Sequence, residues 1–224
     1  MTFQNAIFDM DGTLFASEQY WRRAHIEAIG KVYGVIIPEN EWEPLLSLWY
    51  NECNEYVLKR CGVKVDPEAL REPMRAAMQK YYDSADIPRT PYSLEFIQAI
   101  RENGARIAIA TSTPKYLCEG FLERMGIAPY IDGLFTTEMT SHGKASSPEV
   151  YDLALECVGG TKKNTLVFED TLDPILTLHK ASYRIVGVKN PQMARVYDKI
   201  EPLCELFLSS FKEAFDKYEL QRAQ

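Results

Sequence analysis

The sequence lacks several features that mark specialised classes of protein. It has no excess of positive charge, because 25 Lys and Arg stand against 32 Asp and Glu, which gives a net charge of −7 and a pI of about 5.1. Non-specific nucleic-acid binding depends on a basic surface, so we expect no nucleic-acid partner. No apolar run approaches the length of a membrane span, and we expect no membrane association.

Cysteine is also scarce and has no pattern. The five cysteines are odd in number and scattered, and none forms a CxxC pair. Reduced, mostly buried thiols are the simplest interpretation. The N-terminal stretch "MTFQNAIFDM" has no basic segment followed by an apolar one, which predicts no secretory signal. We therefore expect a cytoplasmic protein, with a monomer as the default assembly.

What the sequence does contain is an alternation of apolar runs and amphipathic segments. Each run is almost continuously apolar, which is typical of strands buried on both faces of a parallel sheet. Helical segments between the later runs begin at hydroxyl-Pro pairs that suit helix starts. The alternation predicts an α/β fold with a parallel sheet. The predicted strands are Asn5–Phe8, Arg106–Ala110, Thr165–Phe168, Arg184–Val188 and, more weakly, Gly133–Thr137.

The long interval after the first strand reads as helical and predicts a separate small domain. We expect a core domain over 1–15 and 89–224, interrupted by a helical domain over 16–88. Three helices are predicted in the interruption, in "SEQYWRRAHIEAIGKVYG", "NEWEPLLSLWYNECNEYVLKRCG" and "DPEALREPMRAAMQKYYDSA". Asp66-Pro67 has the chemistry of a helix start. The tail over 207–220 is predicted to be an amphipathic helix.

Carboxylates follow two of the predicted strands. Asp9 and Asp11 follow the first strand, and Glu169 and Asp170 follow "TLVF". In an open parallel sheet, ligands bind beyond the carboxyl ends of the strands, so these acids are expected to converge. Carboxylates that share a crevice repel each other unless a cation joins them, and all-oxygen ligands suit a hard ion such as Mg²⁺. The sequence therefore predicts a magnesium site at this edge.

The remaining groups at that edge suit phosphate. Thr111 and Ser112 follow the second core strand and, with the amides of the next helix, can donate hydrogen bonds to phosphate oxygens. A carboxylate held against phosphorus can act as a nucleophile, and a second carboxyl group two residues later can transfer protons. Lys144 can neutralise the charge that the nucleophile and the phosphoryl group share.

Four segments carry a family resemblance. "FDMDGTLF" resembles the first motif of the haloacid dehalogenase superfamily of phosphotransferases, and "IAIATST" resembles the second. Lys144 in "HGKASSPEVY" is similar to the third-motif lysine, and "LVFEDT" resembles the acidic fourth motif. The motifs span Asn5 to Val188 in the family's order. The resemblance implies a Rossmann-like parallel sheet core with an inserted alpha-helical cap domain, as in the phosphoglucomutase and phosphoglycolate phosphatase branch.

The resemblance also implies roles. Asp9 would attack phosphorus and form an aspartyl-phosphate, Asp11 would be the general acid and base, Thr111 would hold the phosphoryl group, and Lys144 would orient Asp9 and phosphate.

For the metal, the resemblance implies that Asp170 binds Mg²⁺ together with Asp9 and the Asp11 carbonyl, while Glu169 supports that shell. The implied activity is a Mg²⁺-dependent phosphohydrolase acting on a small phosphorylated metabolite.

Two alternatives share the fold, a phosphosugar mutase of the beta-phosphoglucomutase type and a non-catalytic phosphate-binding protein. Trp21 stands where those mutases have a cap-side histidine, which favours a hydrolase. In the helical insertion, Ser17, Trp21 and His25 are the candidates for substrate contact, whereas Arg22 and Arg23 are expected to be solvated.

Overall fold

Six strands form one parallel sheet within the part of the chain that the computed structural model describes, residues 2–220. The strands are β1 (Asn5–Phe8), β2 (Arg106–Thr111), β3 (Gly133–Thr136), β4 (Thr165–Glu169), β5 (Arg184–Val188) and β6 (Leu206–Leu208). Their order across the sheet is β3-β2-β1-β4-β5-β6, with every neighbouring pair parallel. The chain builds outward from β1 in one direction and then in the other, so β1 lies at the point where the strand order reverses.

The sheet belongs to an α/β unit made of Met1–Ala16 and Pro88–Gln224. Its helices are α5 (Ser93–Glu102), α6 (Lys115–Arg124), α7 (Glu149–Cys157), α8 (Leu172–Lys180), α9 (Tyr197–Ile200) and α10 (Phe211–Lys217). The α7 helix packs on β2 and β3, α8 packs on β5, and α10 packs on α5 and β6. The predicted α/β class with a Rossmann-like parallel sheet is confirmed.

An aromatic cluster fixes the centre of this unit. The rings of Phe8 on β1 and Phe168 on β4 stack with centroids 4.4 Å apart. Phe96 of α5 and Phe211 of α10 pack against both of them, and all four side chains are fully buried. Burying an aromatic side chain of this size stabilises a fold by about 1.5–3 kcal/mol. The two central strands are therefore anchored immediately before the acidic residues that follow them.

The second compact unit, Ser17–Ile87, is helical. It contains α1 (Glu18–Tyr33), α2 (Trp42–Leu46), α3 (Tyr50–Cys61) and α4 (Pro67–Ser84). Its own hydrophobic core is buried and includes Ile26, Ile29, Leu45, Val57 and Leu70. Asp66 caps α4 by accepting a hydrogen bond from the Glu68 amide, as its sequence predicted.

Two predicted helices differ from the structure. The second helix of the insertion is broken at Ser47–Trp49, because the Glu52 carboxylate accepts the Trp49 amide and starts a new helix at Tyr50. The tail helix begins only at Phe211, since Leu206–Leu208 pair with β5 as a short edge strand.

Among the described residues, no helix is long and apolar enough to cross a membrane.

Candidate active site

The loop after β1 supplies the first carboxylates. Asp9 continues the ladder with β4 by donating its amide to the Phe168 carbonyl at 2.9 Å. The chain then turns tightly, with the Gly12 amide donating to the Phe15 carbonyl at 2.7 Å. Gly12 has a φ of 87°, a left-handed conformation that favours glycine. A single Asp-Gly turn would need only Asp11, so the buried Asp9 calls for another explanation.

Lys144 provides that explanation. Its ammonium Nζ lies 2.5 Å from Asp9 Oδ1 and 2.5 Å from Glu169 Oε1, and the side chain is only 5% exposed. Burial lowers the pKa of Lys144, but the Asp9 and Glu169 carboxylates raise it more, so the net pKa is above its ordinary value. Lys144 is therefore a buried, charged lysine that joins the carboxyl ends of β1 and β4.

Glu169 has all of its hydrogen-bonding capacity engaged. Oε1 accepts from Lys144 and from the Tyr151 hydroxyl at 3.0 Å, and Oε2 accepts from the amides of Asp170 and Thr171 at 2.6 and 2.8 Å. Such a carboxylate orients its neighbours and has little capacity left for a metal ion.

Asp170 is held from both sides. Thr13 Oγ1 donates to Oδ1 at 3.1 Å, and Asn190 Nδ2 donates to Oδ2 at 2.7 Å. Asn190 follows β5, the strand next to β4, and is buried. Neither Thr13 nor Asn190 is among the site residues predicted from the sequence. The strand-end rule would have found Asn190 had it been applied to β5 as well.

The buried charges do not balance. One ligand oxygen from each of Asp9, Glu169 and Asp170 lies within 4.8 Å of the others, and all three residues are buried. Burial raises the pKa of Asp9 well above its ordinary value; Lys144 lowers it, while the Glu169 and Asp170 carboxylates raise it further. Three carboxylates against one ammonium leave an excess of negative charge, which a divalent cation would neutralise. The oxygen-only donor set fits Mg²⁺.

The side chain of Asp11 makes its contact with a residue outside this carboxylate cluster. Its Oδ2 accepts a hydrogen bond from Thr113 Oγ1 at 2.6 Å, and its side chain is not part of the three-carboxylate cluster. Thr111 is buried at the end of β2, and its hydroxyl accepts the Thr113 amide at 3.1 Å. Ser112 is exposed at the same strand end. Thr113 belongs to a hydroxyl-Pro pair of the kind that suits a helix start, but its side chain makes no cap hydrogen bond to α6 and instead contacts Asp11, the second aspartate of the turn.

Comparisons with known proteins identify the family to which the chain belongs. A family model described as haloacid dehalogenase-like hydrolase matches residues 3–182. The chain belongs to this family. Among curated relatives, it is 24% identical over 183 residues to the phosphorylated carbohydrates phosphatase of Thermotoga maritima, covering 81% of this chain and 83% of that protein. It is also 25% identical over 222 residues to hexitol phosphatase B of Escherichia coli, covering 93% and 92%.

A solved structure shows the same fold. The crystal structure of CbbY from Rhodobacter sphaeroides in complex with phosphate superposes with a TM-score of 0.74 at 21% identity, covering 94% of this chain and 96% of that one. Together, the family match and the relatives confirm the predicted superfamily, its phosphatase branch and an enzymatic role.

Proposed function

We propose that this protein is a Mg²⁺-dependent phosphohydrolase that acts on a small phosphomonoester through an aspartyl-phosphate on Asp9. The observation that carries the proposal is the buried set of Asp9, Lys144, Glu169 and Asp170, in which one lysine contacts two of three crowded carboxylates. Burying such a cluster is unfavourable for folding alone, so its presence at the strand ends points to chemistry.

The reaction we propose has two displacements. An Asp9 carboxylate oxygen attacks phosphorus and the bond from phosphorus to the leaving oxygen breaks, while Asp11 gives that oxygen a proton. Water then attacks the phosphoryl group, Asp11 takes its proton, and inorganic phosphate and the Asp9 carboxylate are released. General acid–base catalysis of this kind accelerates a reaction by about 10²–10⁴-fold. Lys144 holds Asp9 in place, and Thr111 and Ser112 donate hydrogen bonds to the phosphoryl oxygens.

The metal would be held by Asp9 and Asp170, with the Asp11 carbonyl that the family resemblance implies. When bound, it would supply positive charge to the phosphoryl oxygens. Glu169 supports this set by fixing Lys144 and the Asp170 backbone. Asn190 and Thr13 orient the Asp170 carboxylate toward the cluster.

A mutase would need a proton-transferring side chain in the helical unit. Trp21 stands where beta-phosphoglucomutases have a histidine, and an indole nitrogen only donates hydrogen bonds. The Trp21 ring packs edge-on against the Tyr82 ring, with the two ring centroids 6.4 Å apart. This favours hydrolysis over transfer to a second hydroxyl of the substrate.

The test is hydrolysis of p-nitrophenyl phosphate with Mg²⁺ by the wild type, Asp9→Asn and, as a matched control, Asp216→Asn, which changes an exposed aspartate of α10. We expect EDTA to abolish activity reversibly and Asp9→Asn to lower kcat by at least about 10³-fold, with the control unaffected. Turnover retained by Asp9→Asn would refute the proposal, and so would activity that is indifferent to EDTA.

A further inference from the structure

The loop that carries Lys144 has no apolar side chain that ties it to the core. Residues 140–148, which we call the lysine loop, form an irregular segment that leads into α7, and Lys144 is the only buried residue from 141 to 148. A small and polar segment of this kind samples many conformations unless hydrogen bonds fix it. Yet the Lys144 ammonium lies 2.5 Å from both the Asp9 and the Glu169 carboxylates. Groups outside the loop must therefore hold it in place.

Glu149, the first residue of α7, contacts the lysine loop at several points. Its Oε2 accepts a hydrogen bond from the Ser141 amide at 2.9 Å. Its Oε1 accepts from His142 Nδ1 at 2.8 Å and from the Ser147 hydroxyl at 3.1 Å. Because these partners lie on both sides of Lys144 in the sequence, a single carboxylate closes the loop around the lysine.

The Glu149 carboxylate makes these contacts in its charged form. The hydrogen bond with His142, followed by the one from the Ser141 amide, holds the pKa of Glu149 below its ordinary value. An ionised carboxylate can only accept, so Nδ1 of His142 is the donor. Hydrogen bonds to a charged group are about twice as strong as those between neutral groups. The contacts of Glu149 are thus well suited to fix the loop.

A second helix fixes the loop directly beside Lys144. The Thr177 hydroxyl of α8 donates to the Ala145 carbonyl at 2.9 Å. On the other side of the lysine, the Gly143 carbonyl accepts the Ser147 amide at 3.1 Å. The helices that hold the loop are themselves packed on the sheet, α7 on β2 and β3 and α8 on β5. The position of Lys144 is therefore tied to the sheet through two helices.

We infer that Glu149 is a positioning residue that acts through Lys144, with Thr177 as a second anchor of the same loop. The inference rests on the proposed function and deepens it, because the loop fixes the ammonium and the ammonium fixes Asp9. A displacement of about 1 Å in a reacting group can lower a rate by about 10²-fold. An acidic residue in the first turn of a helix also stabilises the helix dipole, and the test must separate the two roles.

The kinetic test compares Glu149→Ala and Glu149→Gln with Glu156→Ala, a matched control at an exposed glutamate of the same helix, using p-nitrophenyl phosphate and Mg²⁺. We expect Glu149→Ala to lower kcat at least about tenfold and the control to match the wild type. Glu149→Gln should recover most of the loss, because its amide oxygen can accept from Ser141 and its amide nitrogen can donate to the other tautomer of His142. A role limited to the helix dipole predicts that Gln is as slow as Ala, since both lack the charge.

A second measurement reports the position of the ammonium without turnover. Acetylation by acetic anhydride, followed by peptide mapping, gives the labelling rate at Lys144, which is only 5% exposed in the wild type. We expect this rate to rise at least about tenfold in Glu149→Ala and to stay within about twofold of the wild type in Glu149→Gln and Glu156→Ala. Thr177→Val, which removes the donor from α8, should raise it as well. Thiol modification at the fully buried Cys118 controls for unfolding of the whole unit.

The outcomes that would overturn the inference are distinct. They are a wild-type kcat in Glu149→Ala, a slow Glu149→Ala in which Lys144 stays protected from acetylation, and equal slowing by Ala and Gln. A parallel rise of labelling at Lys144 and Cys118 would show that Glu149 stabilises the fold as a whole, which also contradicts a positioning role. If the proposed function fails instead, the wild type releases no p-nitrophenol, whereas the difference in labelling between Glu149→Ala and Glu149→Gln persists.

Discussion

Removing the Lys144 ammonium should destabilise the protein in a way that depends on both pH and metal. The change we consider is Lys144→Met, which keeps most of the side-chain volume. In the wild type, Nζ is 2.5 Å from both Asp9 Oδ1 and Glu169 Oε1 and is almost fully buried. Breaking a buried ion pair by deleting one partner costs about 3–5 kcal/mol, because the other partner stays buried and uncompensated.

The cost should grow with pH. Without Lys144, burial and the mutual repulsion of Asp9, Glu169 and Asp170 remain, and the pKa of Asp9 rises further above its ordinary value. A carboxyl group whose pKa is raised in the folded state binds a proton more tightly there than in the unfolded chain. Its stabilising contribution is present at low pH and is lost as pH rises, by up to about 1.4 kcal/mol per pH unit for each proton.

Added Mg²⁺ should reverse this loss of stability in Lys144→Met. A divalent ion among the same carboxylates replaces the missing positive charge, so added Mg²⁺ should restore more stability to Lys144→Met than to the wild type. The assay is urea unfolding followed by circular dichroism at pH 5 and pH 7.5, with EDTA or with MgCl₂. Lys212→Met, at an exposed position of α10, is the matched control.

We expect Lys144→Met in EDTA to lose about 3 kcal/mol or more at pH 7.5 and clearly less at pH 5. A loss that is the same at both pH values and with or without Mg²⁺ would refute the electrostatic reasoning. It would instead point to packing against Tyr151, whose ring centroid lies 5.3 Å from Nζ.

Three further predictions concern groups around the site and in the helical unit. Asn190→Ala should raise the Mg²⁺ concentration for half-maximal activity by about 10–100-fold, because Asp170 loses its 2.7 Å donor; an unchanged metal titration would contradict this. Thr113→Val should lower kcat about tenfold with little change in KM, since the Asp11 carboxylate loses its 2.6 Å donor, and steady-state kinetics with an aryl phosphate check it. His25 has a pKa lowered to about 4, mainly by burial, so the unfolded chain binds its proton first as pH falls below about 6.5. His25→Gln should therefore lose less stability than the wild type between pH 6.5 and 4.5 in urea titrations, and parallel curves would disprove the assignment.

Much of the site follows from strand ends alone. Continuous apolar runs identify β1, β2 and β4, and parallel pairing places the carboxyl ends of these strands at one edge, so Asp9 and Asp170 could be found without a structure. Thr111 and Glu169 were found by the same reasoning, but they are the last residues of β2 and β4.

The partners of these residues could not be found in the same way. Thr13 and Thr113 sit in turns where a hydroxyl normally serves the local backbone, and only the tertiary arrangement directs them to Asp170 and Asp11. The three-residue edge strand Leu206–Leu208 is too short to show a periodic pattern of apolar residues from which a strand could be predicted. The burial of Arg22 also has no local signal, because an arginine on an amphipathic helix is usually solvated.

The most direct test of the central claim is to trap the phosphorylated enzyme. The protein is mixed with substrate and Mg²⁺, quenched in acid within the first turnover, digested and mapped by mass spectrometry. We predict one phosphoryl group on the peptide that contains Asp9, absent when EDTA replaces Mg²⁺ and absent in Asp9→Asn. A phosphoryl group on any other residue, or the same yield in EDTA, would contradict the account.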